Sequence, residues 1–323
     1  MRQTNLATFV NLAPIEERFR EAALSGLSNP RKSIPCRFLY DQRGSALFDV
    51  ICDLPEYYVT RTEIRILQER AGEIAALAGP RCQLVEFGSG ASRKVKLLLS
   101  ALKNPLAYIP VDISPEFLRL SAVGIVKEFP GVDVIAVCAD FAEPQQLPDY
   151  IFWPFGSRLG FFPGSTIGNL TPDEAVSFLR GCRSLLRAGG GMVVGVDLKK
   201  DPDVLHDAYN DADGVTAAFT LNLLQRMNRE IGGDFDIDRF SHEAFYNTAA
   251  GRIEIYIRSL MNQIVGVAGK RIAFASGERI HVEYSYKYAI EEFQCLAGRA
   301  GFSPAAVWTD RNNLFSVHYL KTR

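Results

Sequence analysis

The sequence predicts an α/β fold, a doubly wound and mostly parallel sheet with a second domain inserted late in the chain. Three observations carry this. Short apolar runs alternate with helical segments between residues 82 and 197, and acidic residues recur at the ends of those runs. The alternation then fades from about residue 198 to 286 before one last apolar run returns near the C-terminus.

The elements follow in order. Thr60 and Glu63 have capping-box spacing, and Ile64, Leu67, Ala71 and Ile74 follow at helical intervals, so a helix is expected from about Arg61. CQLVEF (82–87) reads as a buried strand running into Gly88-Ser89-Gly90 and a helical segment, KVKLLLSAL. AYIPV (107–111) is a second strand ending at Asp112, and VIAVC (134–138) a third ending near Asp140. RLGFFPG (158–164) is a fourth. Thr171-Pro172-Asp173-Glu174 then supplies an N-cap, a proline at the first helical position and an acidic third residue. Ala175, Leu179, Cys182 and Leu186 make the buried stripe of that helix, which Gly189-Gly190-Gly191 should stop before the strand MVVGV (192–196) and Asp197. A helix near 215–230, the strand-like RIEIYIRSL and RIHVEYSYKY, and a final strand LFSVHYLK complete the reading.

Composition narrows the function. At 323 residues the chain exceeds the usual single core, so an elaborated insertion or two domains are expected. Lys plus Arg total 36 against 37 Asp plus Glu, which leaves no positive excess for a phosphate backbone. Six scattered cysteines form no C-x-x-C pair, and four histidines show no metal-ligand spacing, so no metal is expected. The first nineteen residues hold no continuous apolar stretch, and no segment approaches the roughly 18 apolar residues of a membrane span. A cytoplasmic, monomeric protein with a small-molecule partner, no nucleic acid and no membrane is the expectation.

The glycine turn E-F-G-S-G-A-S-R lets backbone N–H groups approach a ligand at a helix N-terminus. A dinucleotide fingerprint wants a third glycine where this chain has Arg93, which argues against an NAD-dependent oxidoreductase. Asp112 lies 22 residues beyond Gly90, where a carboxylate can accept both hydroxyls of a ribose, although a strand-end Asp is as often a turn residue. Asp140 and Phe141 could accept an adenine amino group and cover its ring. Gly88, Gly90, Asp112 and Asp140 together describe a nucleoside-sized ligand without phosphates, S-adenosylmethionine before NAD. The loop Phe162-Pro-Gly-Ser-Thr-Ile-Gly-Asn-Leu-Thr171 follows the fourth strand. It reads as plain turn chemistry, or as a place for the Asn169 amide to meet the amine and carboxylate of an amino acid. Tyr57 and Tyr58 precede a helix as packing residues or as carboxylate binders. Strand alternation puts His281, Glu283 and Ser285 on one face, which is either solvated or able to hold an imidazole.

Together these strings resemble the histidine-specific Nα-methyltransferases of ergothioneine biosynthesis, which convert L-histidine to hercynine. The likeness spans nearly the whole chain and rests on FLYDQRGSALFDVICDLPEYYVTRTE, LVEFGSGASRK, GSTIGNLTP, AYNDADGVTAAFTLNLLQRMNRE with its DFD follow-on, and the late E-x-S. It implies a Rossmann-like class I methyltransferase sheet (63–197 and 287–323) binding S-adenosylmethionine, with a substrate-binding domain (1–62 and 198–286). It further implies that Tyr57, Asn169 and Tyr209 hold the α-carboxylate and α-amino end of the substrate, and that Glu283 and Ser285 grip the imidazole. Tyr40 and Phe48 would line the substrate cavity, with Asn169, Tyr57 and Tyr40 as the catalytic set. Gly88, Gly90, Lys94, Asp112, Asp140, Phe141 and Gly164 would form the cofactor site. One departure stands out: a methionine follows R-I-E in the family pattern, whereas Ile255 follows Arg252-Ile253-Glu254 here, on the wall beside the substrate ring. An Nα-methyltransferase of tryptophan or tyrosine is the alternative within the same chemistry. Glu283 speaks against it, because an indole or phenol gives a buried carboxylate less to hold.

Overall fold

The structure, a computed structural model, describes residues 8–12, 16–90 and 92–322. The first half of the chain runs β1 (Thr8–Asn11), α1 (Glu16–Ser28), α2 (Gln42–Asp53), α3 (Tyr58–Ala78), β2 (Gln83–Phe87), α4 (Arg93–Ala101), β3 (Ala107–Asp112), α5 (Pro115–Glu128), β4 (Asp133–Cys138) and β5 (Arg158–Phe162). It continues with α6 (Pro172–Leu186), β6 (Gly191–Asp197), α7 (Pro202–Tyr209), α8 (Val215–Ile231), β7 (Phe240–Asn247), β8 (Arg252–Ser259), β9 (Gln263–Val267), β10 (Lys270–Phe274), β11 (Arg279–Tyr286), α9 (Ile290–Arg299), β12 (Phe302–Thr309) and β13 (Phe315–Thr322).

The chain divides into two compact units. The first comprises 1–13, 59–199 and 286–323, the second 14–58 and 200–285. The expected division differs at its N-terminal edge: residues 1–62 were to join the second unit as one block. Strand β1 instead pairs in parallel with β4, Thr8 opposite Ile135 and Asn11 opposite Cys138, because its backbone groups complete the open edge of the sheet. Residues 1–7 and 13–15 of that expected block, Ala91 of the glycine turn and Arg323 lie outside the described residues.

The first unit is built on an eight-stranded sheet of order β1-β4-β3-β2-β5-β6-β13-β12. Its first six strands are parallel, and β13 and β12 are antiparallel to their neighbours. All residues of β2, β5 and β6 are buried, which explains why these strands read as continuous apolar runs rather than alternating ones. The order reverses at β2, whose partners are β3 on one side and β5 on the other. The C-terminal ends of these three strands therefore form the crevice where ligands bind in open α/β sheets. Helix α6 carries the complete capping box that Thr171 and Glu174 announce.

Helix α3 departs from expectation. It begins at Tyr58, so Thr60 and Glu63 lie inside it and do not cap it. Glu63 is fully buried and spends its carboxylate on two groups outside the helix, described below.

In the second unit, β11, β8 and β7 form a three-stranded sheet, while β9 and β10 form a hairpin turning at Ala268 and Gly269, both with positive φ. Helix α8 packs on β7 and β8 and against α2. Its start is fixed by Asp211, whose two carboxylate oxygens accept from the N–H groups of Val215 (2.7 Å) and Thr216 (2.8 Å).

Candidate functional site

Each expected site residue falls cleanly into one unit. Gly88, Gly90, Lys94, Asp112, Asp140, Phe141, Gly164 and Asn169 belong to the first, and Tyr40, Phe48, Tyr57, Tyr209, Ile255, Glu283 and Ser285 to the second.

In the first unit the chain leaves β2 through Gly88 (φ +76) and Gly90 (φ +43), conformations that a side chain resists. The Gly90 N–H donates to Asp112 Oδ2 (3.2 Å) and the Ser114 N–H to Oδ1 (3.0 Å), so the carboxylate stands at the end of β3 facing the glycine turn. Burial holds the Asp112 carboxyl above its ordinary range, against the pull of those N–H groups. Asp140 lies two residues beyond β4, with Oδ1 accepting from the Ala142 N–H (3.0 Å). A Cβ on Gly88 would meet the Phe141 ring at 3.5 Å, whereas one on Gly90 would meet nothing within 4 Å. The turn is thus walled by Phe141 at one glycine and open at the other.

After β5 the chain turns through Gly164 (φ +77) and Ser165 (φ +57) into a 3-10 turn, Thr166–Asn169, that carries the half-buried Asn169. The Asp197 N–H donates to Ser165 Oγ (2.9 Å), Thr166 Oγ1 donates to the Pro163 carbonyl (2.8 Å), and the Gly168 N–H to the Ser165 carbonyl (2.8 Å). A Cβ on Gly168 would stand 2.7 Å from the Tyr286 carbonyl oxygen, so only glycine lets this loop close against the backbone there. The loop that carries Asn169 is thus tied by three hydrogen bonds and one close backbone approach.

In the second unit, five rings meet edge to face or tilted. Tyr40 lies 5.5 Å from Phe48 and 5.4 Å from Phe219, Phe48 lies 6.2 Å from Tyr57, and Tyr57 lies 6.2 Å from Tyr209. Ser285 Oγ and the Tyr209 hydroxyl are hydrogen-bonded at 2.8 Å, and Glu283 is buried. Burial raises the Tyr40 phenol well above its usual range, and the Glu283 charge adds to it; Tyr57 is raised by burial and then by Tyr209. Cys36 is pushed up to about 12 by burial and the same Glu283 charge. Glu283 is thus near enough to Cys36, Tyr40 and Tyr57 for its charge to act on each of them.

Ile255 pairs with Ala244 across β8 and β7, two residues along β7 from His242, whose Nδ1 lies 3.0 Å from Thr220 Oγ1 of α8. Cross-strand partners share a face, so Ile255 looks toward α8 and is buried. His281 does not keep the company expected of it. Its ring lies tilted 3.9 Å from Tyr284 and edge to face 5.3 Å from Tyr256, beside Arg252, whose guanidinium lies 3.7 Å from the Tyr284 ring. The His281 backbone also bridges to Ser33 at the strand edge, its N–H donating to the Lys32 carbonyl (2.9 Å).

A family model described as "Histidine-specific methyltransferase, SAM-dependent" matches residues 19–322. A histidine N-alpha-methyltransferase of Mycolicibacterium smegmatis is 41% identical over 95% of this chain and 95% of its own length. The chain belongs to this family. Ergothioneine biosynthesis protein 1 of Neurospora crassa is 31% identical over 99% of this chain, which spans 37% of that protein. The 4-dimethylallyltryptophan N-methyltransferase easF of Aspergillus fumigatus is 29% identical over 97% of this chain and 96% of its own.

The family's methyl donor, S-adenosylmethionine, can be tested against the first unit. Asp112 stands at the glycine turn as an acceptor, Phe141 offers a ring, and among the described residues the space at Gly90 is open and the buried Ser89 hydroxyl has no partner. Such a set fits a ribose, a planar base and an amino-acid tail. Among the described residues no group of three or more His, Cys, Asp or Glu side chains could hold a metal ion, and no helix is long and apolar enough to cross a membrane.

Three supporting groups escaped the sequence reading. Glu63 Oε2 lies 2.6 Å from Lys94 Nζ and accepts from the Gly164 N–H (2.8 Å). It sits four residues before Leu67 and four after Val59, a carboxylate on a buried stripe, and that placement was its available signal. His242 Nε2 donates to the Tyr209 carbonyl (3.0 Å), which fixes the protonated nitrogen and the end of α7; no motif marks it. Asp197 and Lys287, both fully buried, pair at 2.7 Å, a contact between residues ninety positions apart in sequence that local pattern cannot show.

Proposed function

We propose that this protein transfers methyl groups from S-adenosylmethionine to the α-amino nitrogen of free L-histidine, three times in succession, yielding hercynine. The observation that carries this reading is the buried carboxylate and hydroxyl of Glu283 and Ser285, set among Tyr40, Phe48, Tyr57 and Tyr209 with Ser285 bonded to the Tyr209 hydroxyl. A polar grip of that kind suits a ring with N–H groups, and phenols suit a carboxylate. The names of the relatives support the same substrate.

The roles follow from the chemistry of each group. S-adenosylmethionine, when bound, supplies an electrophilic methyl on its sulfonium. Asp112 would take the ribose hydroxyls, Asp140 and Phe141 the adenine, and Gly88, Gly90, Lys94 and Gly164 the remaining contacts. Asn169, on its hydrogen-bonded turn, orients the substrate nitrogen, and orientation is the main catalytic device in such displacements. Tyr40 and Tyr57, pushed above their ordinary range, stay protonated at neutral pH and act as hydrogen-bond donors rather than bases. The α-ammonium, with a pKa near ~8, must lose its proton before its lone pair forms the N–C bond as the C–S bond breaks. Phenol faces accommodate the growing ammonium charge.

Ile255 forms an apolar wall, and the tryptophan-derivative methyltransferase among the relatives keeps an aromatic alternative in view. Six free thiols support a cytoplasmic protein, and a net charge of −1 supports a small-molecule substrate rather than nucleic acid. The deciding experiment is mass spectrometry after incubating the pure protein with S-adenosylmethionine and a mixture of all free amino acids. Histidine should gain one, two and three methyl groups while the others stay unchanged. Methylation of tryptophan or tyrosine in preference to histidine would overturn the assignment.

A further inference from the structure

Glu63 is fully buried on α3, yet only one of its oxygens is used. Oε2 meets Lys94 Nζ at 2.6 Å and the Gly164 N–H at 2.8 Å, whereas Oε1 is buried with no hydrogen-bond partner among the described residues. That idle oxygen is held against β6 so closely that a Cβ on Gly195 would collide with it. A buried carboxylate with half its acceptor capacity idle is a poor stabilising device, because desolvation costs more than two donors return. Its placement makes sense through what it touches, Lys94 and Gly164, which hold two separate segments of the crevice at the ends of β2 and β5.

Charge explains the choice of a carboxylate. S-adenosylmethionine carries a sulfonium cation that its product S-adenosylhomocysteine lacks. A lysine beside the crevice repels that cation, and in a partly desolvated site the repulsion is only weakly screened. Lys94 is mostly buried, its side chain 16% exposed. The other buried pair of the unit, Asp197 with Lys287, already neutralises itself, and burial holds Glu86 largely protonated at neutral pH, its carboxyl raised to about 8. Glu63 is the carboxylate in direct contact with Lys94.

We infer that Glu63 is a positioning residue that pins Lys94 and the Gly164 turn together and cancels the lysine charge, so that the crevice accepts the cationic methyl donor as readily as its neutral product. The inference rests on the cofactor-site reading above and deepens it. Glu63→Gln keeps an acceptor for the Gly164 N–H but removes the charge opposite Lys94. Lys94→Met removes the cation and leaves Glu63 as an excess negative charge.

The test is calorimetric titration of wild type and both variants with S-adenosylmethionine and with S-adenosylhomocysteine, with no amino acid present. In Glu63→Gln the ratio of Kd for the donor to Kd for the product should rise about tenfold. In Lys94→Met it should move the other way, a reversal that loss of packing alone does not produce. An unchanged ratio in a variant that still binds S-adenosylhomocysteine overturns the inference, and should Glu63→Gln fail to fold, Lys94→Met decides it alone. If wild type binds neither ligand, it is the cofactor-site reading that fails instead.

Discussion

At the scale of single residues, the parts of the site differ in how openly the sequence shows them. Gly88, Asp112 and Asp140 announce themselves through position, each at the end of an apolar run, because the end of a buried strand is where a polar group can reach a ligand. Glu86 gives no such sign. It lies inside β2, buried, accepting the Tyr108 hydroxyl, and burial raises its carboxyl to about 8, with Tyr108 and Lys94 pulling the other way. An unfolded Glu loses its proton near the ordinary 4.5, so between there and about pH 8 the unfolded chain is ionised while the folded one is not. Stability tied to Glu86 is thus fully present below about pH 4.5 and is lost as pH rises through about 8. Glu86→Gln keeps an acceptor for Tyr108 and removes the ionisation. The variant should match wild type near pH 4.5 and exceed it at pH 8.5 by up to about 4 kcal/mol, since each pKa unit is worth 1.36 kcal/mol. Urea unfolding midpoints at the two pH values check this. A stability difference independent of pH would mean that Glu86 ionises freely in the folded protein.

At the scale of elements, β11 tests how far strand alternation can be trusted. Alternation correctly brings Ser285 to the Tyr209 hydroxyl and leaves Tyr284 beside Arg252, but His281 falls among Tyr284 and Tyr256. His281, which also bridges to Ser33, is the residue that leaves the period of two. Specificity should therefore reside at residue 283. A site built to hydrogen-bond a ring N–H rejects analogues lacking it, since its own buried groups are left unsatisfied. Glu283→Ala should lower kcat/KM for histidine at least tenfold, leave S-adenosylhomocysteine affinity unchanged, and raise the rate with tryptophan relative to histidine. An equal histidine-to-tryptophan ratio in both proteins would put recognition elsewhere, on walls such as Ile255. Helices show a similar division between what pattern reveals and hides. The helix over 172–186 is legible down to its capping box, whereas α3 starts at Tyr58 and engulfs an apparent cap, because tertiary partners outside the helix claim Glu63. The sequence expectation has no counterpart for β1, α1, β7, α9 or β12. Strand β1 spans Thr8–Asn11 and is recognisable only through its pairing with β4.

At the scale of the whole molecule, neither unit is one stretch of chain, and the breaks at 13/14, 58/59, 199/200 and 285/286 have a folding consequence. The sequence shows the late interruption of the α/β alternation plainly, whereas the grouping of the N-terminal segment with it is expected from the family resemblance and not from any local pattern. Long-range contacts establish that. Arg226 of α8 donates to the Phe38 carbonyl (2.9 Å) and lies over the Phe19 ring at 4.5 Å. The Asn222 amide donates to Asp41 Oδ1 (2.7 Å), and Asp41 also caps α2 through the Gly44 N–H (2.7 Å). The outer edge of β11 is engaged by Ser33, with the Ile34 N–H donating to the His281 carbonyl (2.9 Å). Removing 14–58 would strip α8 of α2, uncover the Arg226 guanidinium and leave that strand edge open, a template for aggregation. Residues 200–285 expressed alone should therefore show no cooperative thermal transition by circular dichroism. Co-expression with a separate 14–58 fragment should restore one, because the contacts between the two segments are side-chain and edge contacts that need no covalent link. A cooperative transition in the isolated 200–285 fragment would show that the insertion folds by itself and that the N-terminal segment docks on a finished surface.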